Sequence, residues 1–212
     1  MVNSKLGLDF FRRPDVARIG RELIGKMLCT RIGGAAVTAG MVVETEAYGG
    51  VDDRASHAFG GRRTDRTAVM YRAGGVAYVY LCYGLHCLFN IITNREEIPH
   101  AVLIRAVEPR RGVDVMLRRR GRARADRALA GGPGALCRAL GIALRHNGMN
   151  LTGNVIWLEE GAPVPPSQVC RTPRIGVAYA GADAARLWRF SLRGSPWVSR
   201  PPPRSDRGGA GI

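Results

Sequence analysis

The chain has 212 residues, 46% of them apolar, and sets 32 Lys+Arg against 17 Asp+Glu, a formal net charge of +15 at neutral pH. One domain's length at that apolar content can bury a core without metal or disulfide staples, so a wholly disordered chain is excluded. The charge favours a polyanionic partner, and since Lys5 and Lys26 are the only lysines, nearly all of it is arginine.

Residues 14 to 28 are predicted as a helix. Pro14 and Asp15 suit its first turn, and Val16, Ile19, Leu23 and Met27 keep helical spacing. Inside it Gly20 to Met27 nearly spells a phosphate-binding loop, but no strand precedes it and Met27 stands where the magnesium-binding hydroxyl belongs. Lys26 therefore reads as a solvated helix residue. A hairpin is predicted next: a strand from Cys29 to Ile32, a Gly33-Gly34 turn, and a return from Ala36 to Tyr48. Strict alternation puts Val42, Glu44, Glu46 and Tyr48 on one face and Met41, Val43 and Thr45 on the other.

Residues 49 to 74 read as a loop, with Arg54, Arg62, Arg63, Arg66 and Arg72 within 54–72. A second hairpin runs from Val76 to Cys82, turns at Tyr83-Gly84, and returns from Leu85 to Thr93. A strand over 101–107 places Ala101, Leu103 and Arg105 on one face. Between 105 and 127 nine arginines meet three acids, and the stretch from Arg118 to Gly132 reads as mobile. Gly132-Pro133-Gly134 opens a short helix carrying Leu136 and Leu140. Two strands are expected within 155–180 around a Pro-rich link, and one more within 186–198. The Pro- and Gly-rich tail from Ser199 reads as disordered. Short strands mixed with few helices predict an α+β fold with an antiparallel sheet.

Five cysteines without CxxC spacing, and no charged start followed by an apolar run, read as reduced thiols in a cytoplasmic protein. No segment approaches the roughly 18 apolar residues of a membrane span. There is no HExxH, GxSxG or GxGxxG-helix signature. Cys82, His86 and Cys87 lie close in sequence, but hairpin alternation sends His86 and Cys87 to opposite faces, which argues against zinc.

Three constellations remain. Glu44 and Glu46 share a strand face with Tyr48, where a carboxylate could serve as a general base; the competing reading is a surface strand with solvated acids. Tyr78, Tyr80 and Tyr83 cluster on the second hairpin, and a ring at its tip is hard to bury, so Tyr83 reads as a base-stacking or wedging group. The arginine clusters flank both features in sequence and read as phosphate contacts.

The segments Val43-Glu44-Thr45-Glu46-Ala47-Tyr48, Ala55-Ser56-His57, Gly60-Gly61-Arg62-Arg63-Thr64, Tyr78-Val79-Tyr80, Tyr83-Gly84 with Asn90, Leu103 to Pro109, Gly132-Pro133 and Arg193 to Ser199 resemble the alkyladenine (3-methyladenine) DNA glycosylase family. They occur in the family's order from about residue 8 to residue 199. The resemblance implies one mixed domain over 1–199 with a curved antiparallel sheet, flanking helices and a protruding hairpin, followed by a disordered tail over 200–212. It implies a monomer that flips damaged purines out of double-stranded DNA and hydrolyses the N-glycosidic bond without metal or cofactor. It assigns Glu46 as the base that activates water, Arg105 as its partner, and the backbone carbonyl of Ile175 as a third group at that water. Tyr48 on one side and His57 with Tyr80 on the other would sandwich the purine. Asn90 would crowd the amino group of guanine, Tyr83 would fill the gap in the duplex, and Arg62 and Arg63 would contact DNA. His86 departs from the aromatic residue that some relatives carry beside the wedge. In a bacterium such a protein would be cytoplasmic and nucleoid-associated.

Two other readings compete. A non-catalytic nucleic-acid-binding module explains the charge and the tyrosines but leaves Glu46 without a purpose. A sugar glycosidase using Glu44 and Glu46 meets the roughly 7 Å spacing of residues two apart on a strand. Two acids pointing the same way cannot flank a scissile bond, however, and the charge suits no neutral glycan.

Overall fold

A computed structural model describes residues 4–34 and 36–200. Two short helices, α1 (Leu8–Phe11) and α2 (Val16–Glu22), open the chain. The strands β1 (Met27–Thr30), β2 (Thr38–Tyr48), β3 (Ala77–Cys82), β4 (His86–Thr93) and β5 (His100–Arg111) follow. Three helices come next: α3 (Val113–Arg120), α4 (Arg127–Ala130) and α5 (Pro133–Leu140). The strands β6 (Ile156–Glu159), β7 (Val169–Thr172) and β8 (Arg189–Leu192) complete one curled antiparallel sheet. Its order is β3-β4-β5-β2-β1-β6, with β8 also paired to β2 and β7 to β8. Among the described residues no helix is long and apolar enough to cross a membrane.

The helices cover one face of this sheet. Ile19 of α2 and Leu23 just after it, Met116 of α3 and Leu136 and Leu140 of α5 join Val102, Ile104 and Val107 of β5 in the main core. Burying such side chains is worth roughly 1.5–3 kcal/mol each. The opposite face of β5 presents Ala101, Leu103 and Arg105, the trio predicted from alternation, to a cavity.

Several expectations need correction. The first helix spans Val16–Glu22 rather than 14–28. Asp15 caps it from outside, accepting from the Arg18 N–H at 2.8 Å. Gly25 then takes φ +89°, where a Cβ would lie 2.6 Å from Val164, so the chain turns and enters β1. Lys26 lies in that turn, ion-paired with Glu160 rather than solvated on a helix. The loop over 49–74 contains three 3-10 turns.

Alternation along β2 also breaks. The β2–β5 register shifts twice around Glu44, leaving first Val43 and then Arg105 outside the pairing. Val42 consequently joins the helix-side core instead of sharing a face with Glu44. The stretch 118–132 is structured, because α4 plugs Leu129 and Ala130, both 0% exposed, into the core. Arg119 is a strut within it, donating to the carbonyls of Ile32 and Ala139 and to Thr38 Oγ1. At the C-terminus, Ser199 is anchored to Glu44; residues 201–212 of the expected tail lie outside the described residues.

Candidate active site

A cavity of about 690 Å³ opens against the sheet, within the ordinary range for small-molecule sites. Tyr48 from the end of β2, His57 from the following loop, Tyr78 and Tyr80 from β3, and Asn90 from β4 line its base. The His57 ring meets the Tyr80 ring edge to face, with centroids 4.7 Å apart. Its Nδ1 lies 2.9 Å from the Tyr78 hydroxyl. Burial, with the charges of Arg66 and Arg62 adding to it, lowers the His57 pKa to about 4. The imidazole is therefore neutral near pH 7, and a ring accepting from Tyr78 at Nδ1 offers its Nε2–H as a donor. The Asn90 amide donates to the Tyr78 carbonyl at 3.1 Å, which fixes its side chain against the cavity.

Behind this wall lies Glu46, 0% exposed. Its Oε1 accepts from the Ile175 N–H at 2.7 Å. Its Oε2 accepts from the Tyr48 hydroxyl at 2.9 Å and from Arg105 Nη1 at 3.3 Å. Tyr48, Arg105 and Ile175 all line the cavity, so the carboxylate sits directly beneath its surface. Burial first, and then the charge of Glu46, raises the Tyr48 pKa well above the usual phenol value, so this hydroxyl stays protonated and donates. Burial would lower the Arg105 pKa, but Glu46 and Glu44 outweigh it and raise it. The contact seen at Ile175 is its N–H on Glu46.

What aims that N–H carries no sequence signal. Arg174 and Asp53 form a fully buried pair, with Nη1–Oδ2 at 2.5 Å and Nη2–Oδ1 at 2.9 Å. Arg174 also donates to the Ala47 carbonyl at 2.9 Å and lies 4.9 Å from the Tyr48 ring centre. Burial would raise the Asp53 carboxyl pKa, but the Arg174 hydrogen bond and two backbone N–H groups hold it below the usual range. This clamp fixes the residue before Ile175 to the end of β2. Arg174 and Asp53 are 121 positions apart, and neither sits in a recognisable motif.

The second hairpin protrudes at the cavity mouth. Its tip holds Tyr83 at φ 51° and Gly84 at φ 68°, and Tyr83 is 92% exposed. A left-handed backbone at a ring-bearing residue is uncommon and directs Tyr83 outward. Beside it His86 packs on the first turn of α5, where a Cβ on Gly134 would lie 3.1 Å from that of His86. Arg62 and Arg63 are exposed on the 49–74 loop, outside the cavity lining. Arg63 pairs with Glu97 at 2.8 Å and stacks on Tyr71. Arg66 from the arginine-rich loop, Arg120 from the 105–127 arginine cluster and Arg138, which lies outside both clusters, line the mouth itself. No three His, Cys, Asp or Glu side chains among the described residues are grouped to hold a metal ion.

An aromatic slot with a carboxylate beneath it and arginines around its mouth suits an enzyme that takes a planar group from a polyanion. Comparison with known proteins gives that class a family. The family model for methylpurine-DNA glycosylase matches residues 9–196. A relative from Anaeromyxobacter dehalogenans (strain 2CP-1) is 49% identical over 201 residues, covering 94% of this chain and 87% of the relative. One from Myxococcus xanthus is 45% identical, covering 94% and 95%. One from Chlamydia felis is 44% identical, covering 87% and 94%. Each is provisionally named a 3-methyladenine DNA glycosylase. The chain belongs to the methylpurine-DNA glycosylase family, whose work is base-excision repair of DNA.

Proposed function

We propose that this protein flips alkylated and deaminated purines out of duplex DNA and hydrolyses their N-glycosidic bond with water activated by Glu46. The observation that carries the reading is the position of the Glu46 carboxylate, buried one layer behind the aromatic slot and held by three residues that line it. A water replacing the Tyr48 hydroxyl at Oε2 would lie within reach of a sugar carbon whose base fills the slot. Its oxygen bonds to C1′, its proton passes to Glu46, and the electron pair of the C1′–N bond leaves with the purine. An abasic site remains.

The slot supports the substrate class. A cationic purine such as 3-methyladenine or 7-methylguanine gains roughly 0.5–2 kcal/mol by stacking on Tyr48 and Tyr80. Hypoxanthine and ethenoadenine are neutral and gain from a donor such as neutral His57. Asn90, on the cavity wall, would crowd the amino group of an undamaged guanine. Flipping costs a few kcal/mol, least for bases already damaged or mispaired. Tyr83 would fill the vacated stack, and Arg62, Arg63 and the arginines of the mouth would hold phosphates. One chain carries every group of the site, so a monomer suffices.

Strand cutting by β-elimination requires an amine nucleophile. Lys5 is held by the Gly153 carbonyl at 2.7 Å and Asn154 Oδ1 at 2.6 Å, next to β6. Lys26 is paired with Glu160 on the same side of the sheet. β6 is the sheet edge opposite the tyrosine hairpin, which supports hydrolysis alone. The test is base release from duplexes carrying hypoxanthine or 7-methylguanine, with strand integrity read before alkali and borohydride added during turnover. Free base with intact strands and no trapped complex is the expected result. No base release, or a trapped covalent complex, would overturn the reading.

A further inference from the structure

Glu44, the second acid of the strand, has no part in the mechanism above, yet it is 0% exposed and accepts from four donors. Its Oε1 takes Arg105 Nε at 3.1 Å, Arg189 Nε at 2.7 Å and Ser199 Oγ at 3.0 Å, and its Oε2 takes the Ser199 N–H at 2.6 Å. It shares no hydrogen bond with Glu46 and does not line the cavity. What it shares with Glu46 is Arg105, whose Nε is committed to Glu44 while a single Nη1 reaches Glu46 at 3.3 Å.

We infer that Glu44 is a positioning residue for the reaction: by engaging the Nε edge of Arg105 it keeps that guanidinium from closing on Glu46 as a two-pronged ion pair. Three features support this. Arginine prefers a bidentate fork on a carboxylate, and the fork is withheld from Glu46 here. Arg105 falls at one of the two register shifts that flank Glu44 in the β2–β5 pair, so the backbone is adapted to present it to both acids. Glu44 is itself fixed from two other elements, β8 through Arg189 and the C-terminal segment through Ser199. A Glu46 gripped at both oxygens by Arg105 would be a weaker base with no oxygen free for water.

The inference rests on Glu46 being the base, and the test keeps the two claims apart. The ionisable groups facing Glu46 are Tyr48 on its own strand, Arg105 on β5, Tyr80 on β3, and Arg174 and Tyr179 on the segment after β7, with Arg189 opposite it on β8. Single-turnover excision of hypoxanthine is measured from pH 5 to 9 for Glu44→Gln, Glu44→Asp and Glu46→Gln. Glu44→Gln leaves the Arg105 charge to Glu46 alone. The plateau rate should fall about tenfold or more, the scale of a partial loss of general-base catalysis, and the acid limb should move to lower pH, with half-saturating enzyme concentration unchanged. Glu44→Asp keeps the charge but loses reach, so its acid limb should stay near the wild-type position while its plateau falls less. A Glu44→Gln acid limb at the wild-type pH overturns the inference. If Glu44→Gln does not fold, Glu44→Asp decides alone, and a wild-type plateau overturns it. Full activity in Glu46→Gln would instead remove the base assignment itself.

Discussion

The same residue types do opposite work in two parts of this molecule. Behind the cavity, Glu44, Glu46 and Asp53 meet Arg105, Arg174 and Arg189, all at 9% exposure or less and all in ion pairs or hydrogen bonds. On the surface the arginines are open to solvent or thinly paired, as in Arg118–Asp114 with both side chains 70% exposed. Buried charges must be matched or they cost several kcal/mol each, so the inner set fixes geometry. Exposed pairs contribute about 0–1 kcal/mol to stability, so the outer set stays available to a phosphate backbone. The net charge of +15 thus describes the surface, while the chemistry sits in a patch that is nearly neutral.

Breaking the inner set should have the largest effect. Arg174→Met strands the Asp53 carboxylate in a dry interior, and stability should fall by about 3–5 kcal/mol, the usual result of halving a buried pair. Chemical denaturation at neutral pH reads this, and adding Asp53→Asn should restore part of the loss. A loss below about 1 kcal/mol, within the range of surface pairs, would place the pair with the outer arginines.

His57 sits between the two sets and reports on both. Its folded pKa of about 4 lies below the unfolded value near 6.5. Between those values the unfolded chain binds a proton that the folded chain refuses. Its stabilising contribution is therefore complete above about pH 6.5 and lost as pH falls toward about 4. By pH 5 the loss is at most about 2 kcal/mol, from 1.36 kcal/mol per unit. His57→Gln should lack this component, so the wild type should lose more stability than the variant between pH 7 and pH 5. Equal losses would contradict a buried, neutral imidazole.

The outer set should respond to salt. Affinity for undamaged duplex should fall linearly on a log–log plot, with a slope of about 0.9 per neutralised phosphate. Arg120→Gln or Arg138→Gln should each flatten that slope by about one unit with little change in melting temperature. Arg119, bonded to Ile32, Thr38 and Ala139, should instead destabilise the fold when replaced. A slope untouched by Arg120 or Arg138 would remove the mouth from the DNA footprint.

Much of this was legible in the chain because it is local. The paired hairpins, the trio of β5 and the helix opened by Gly132-Pro133 follow from period and turn chemistry. Glu46, Tyr48, Tyr80 and Asn90 were named from motifs, and the fold brings them to one cavity or directly behind it. What stayed hidden depends on distant partners or on irregular backbone. The register shifts at Val43 and Arg105 reverse the expected face of Val42. The Asp53–Arg174 clamp joins two loops 121 positions apart, and α4 reads as mobile because its two buried residues lie among arginines. Charge-rich composition hid packing in both places.

The central claim is that Glu46, and not the equally buried Glu44, activates the water. Single-turnover excision of hypoxanthine from a duplex by Glu46→Gln tests it most directly, with affinity for the same duplex measured alongside. The account predicts a rate at least ~100-fold below wild type, the scale of general-base loss, at unchanged affinity. A Glu46→Gln rate within a few-fold of wild type, with Glu44→Gln inactive, would contradict it and move the chemistry to the other acid.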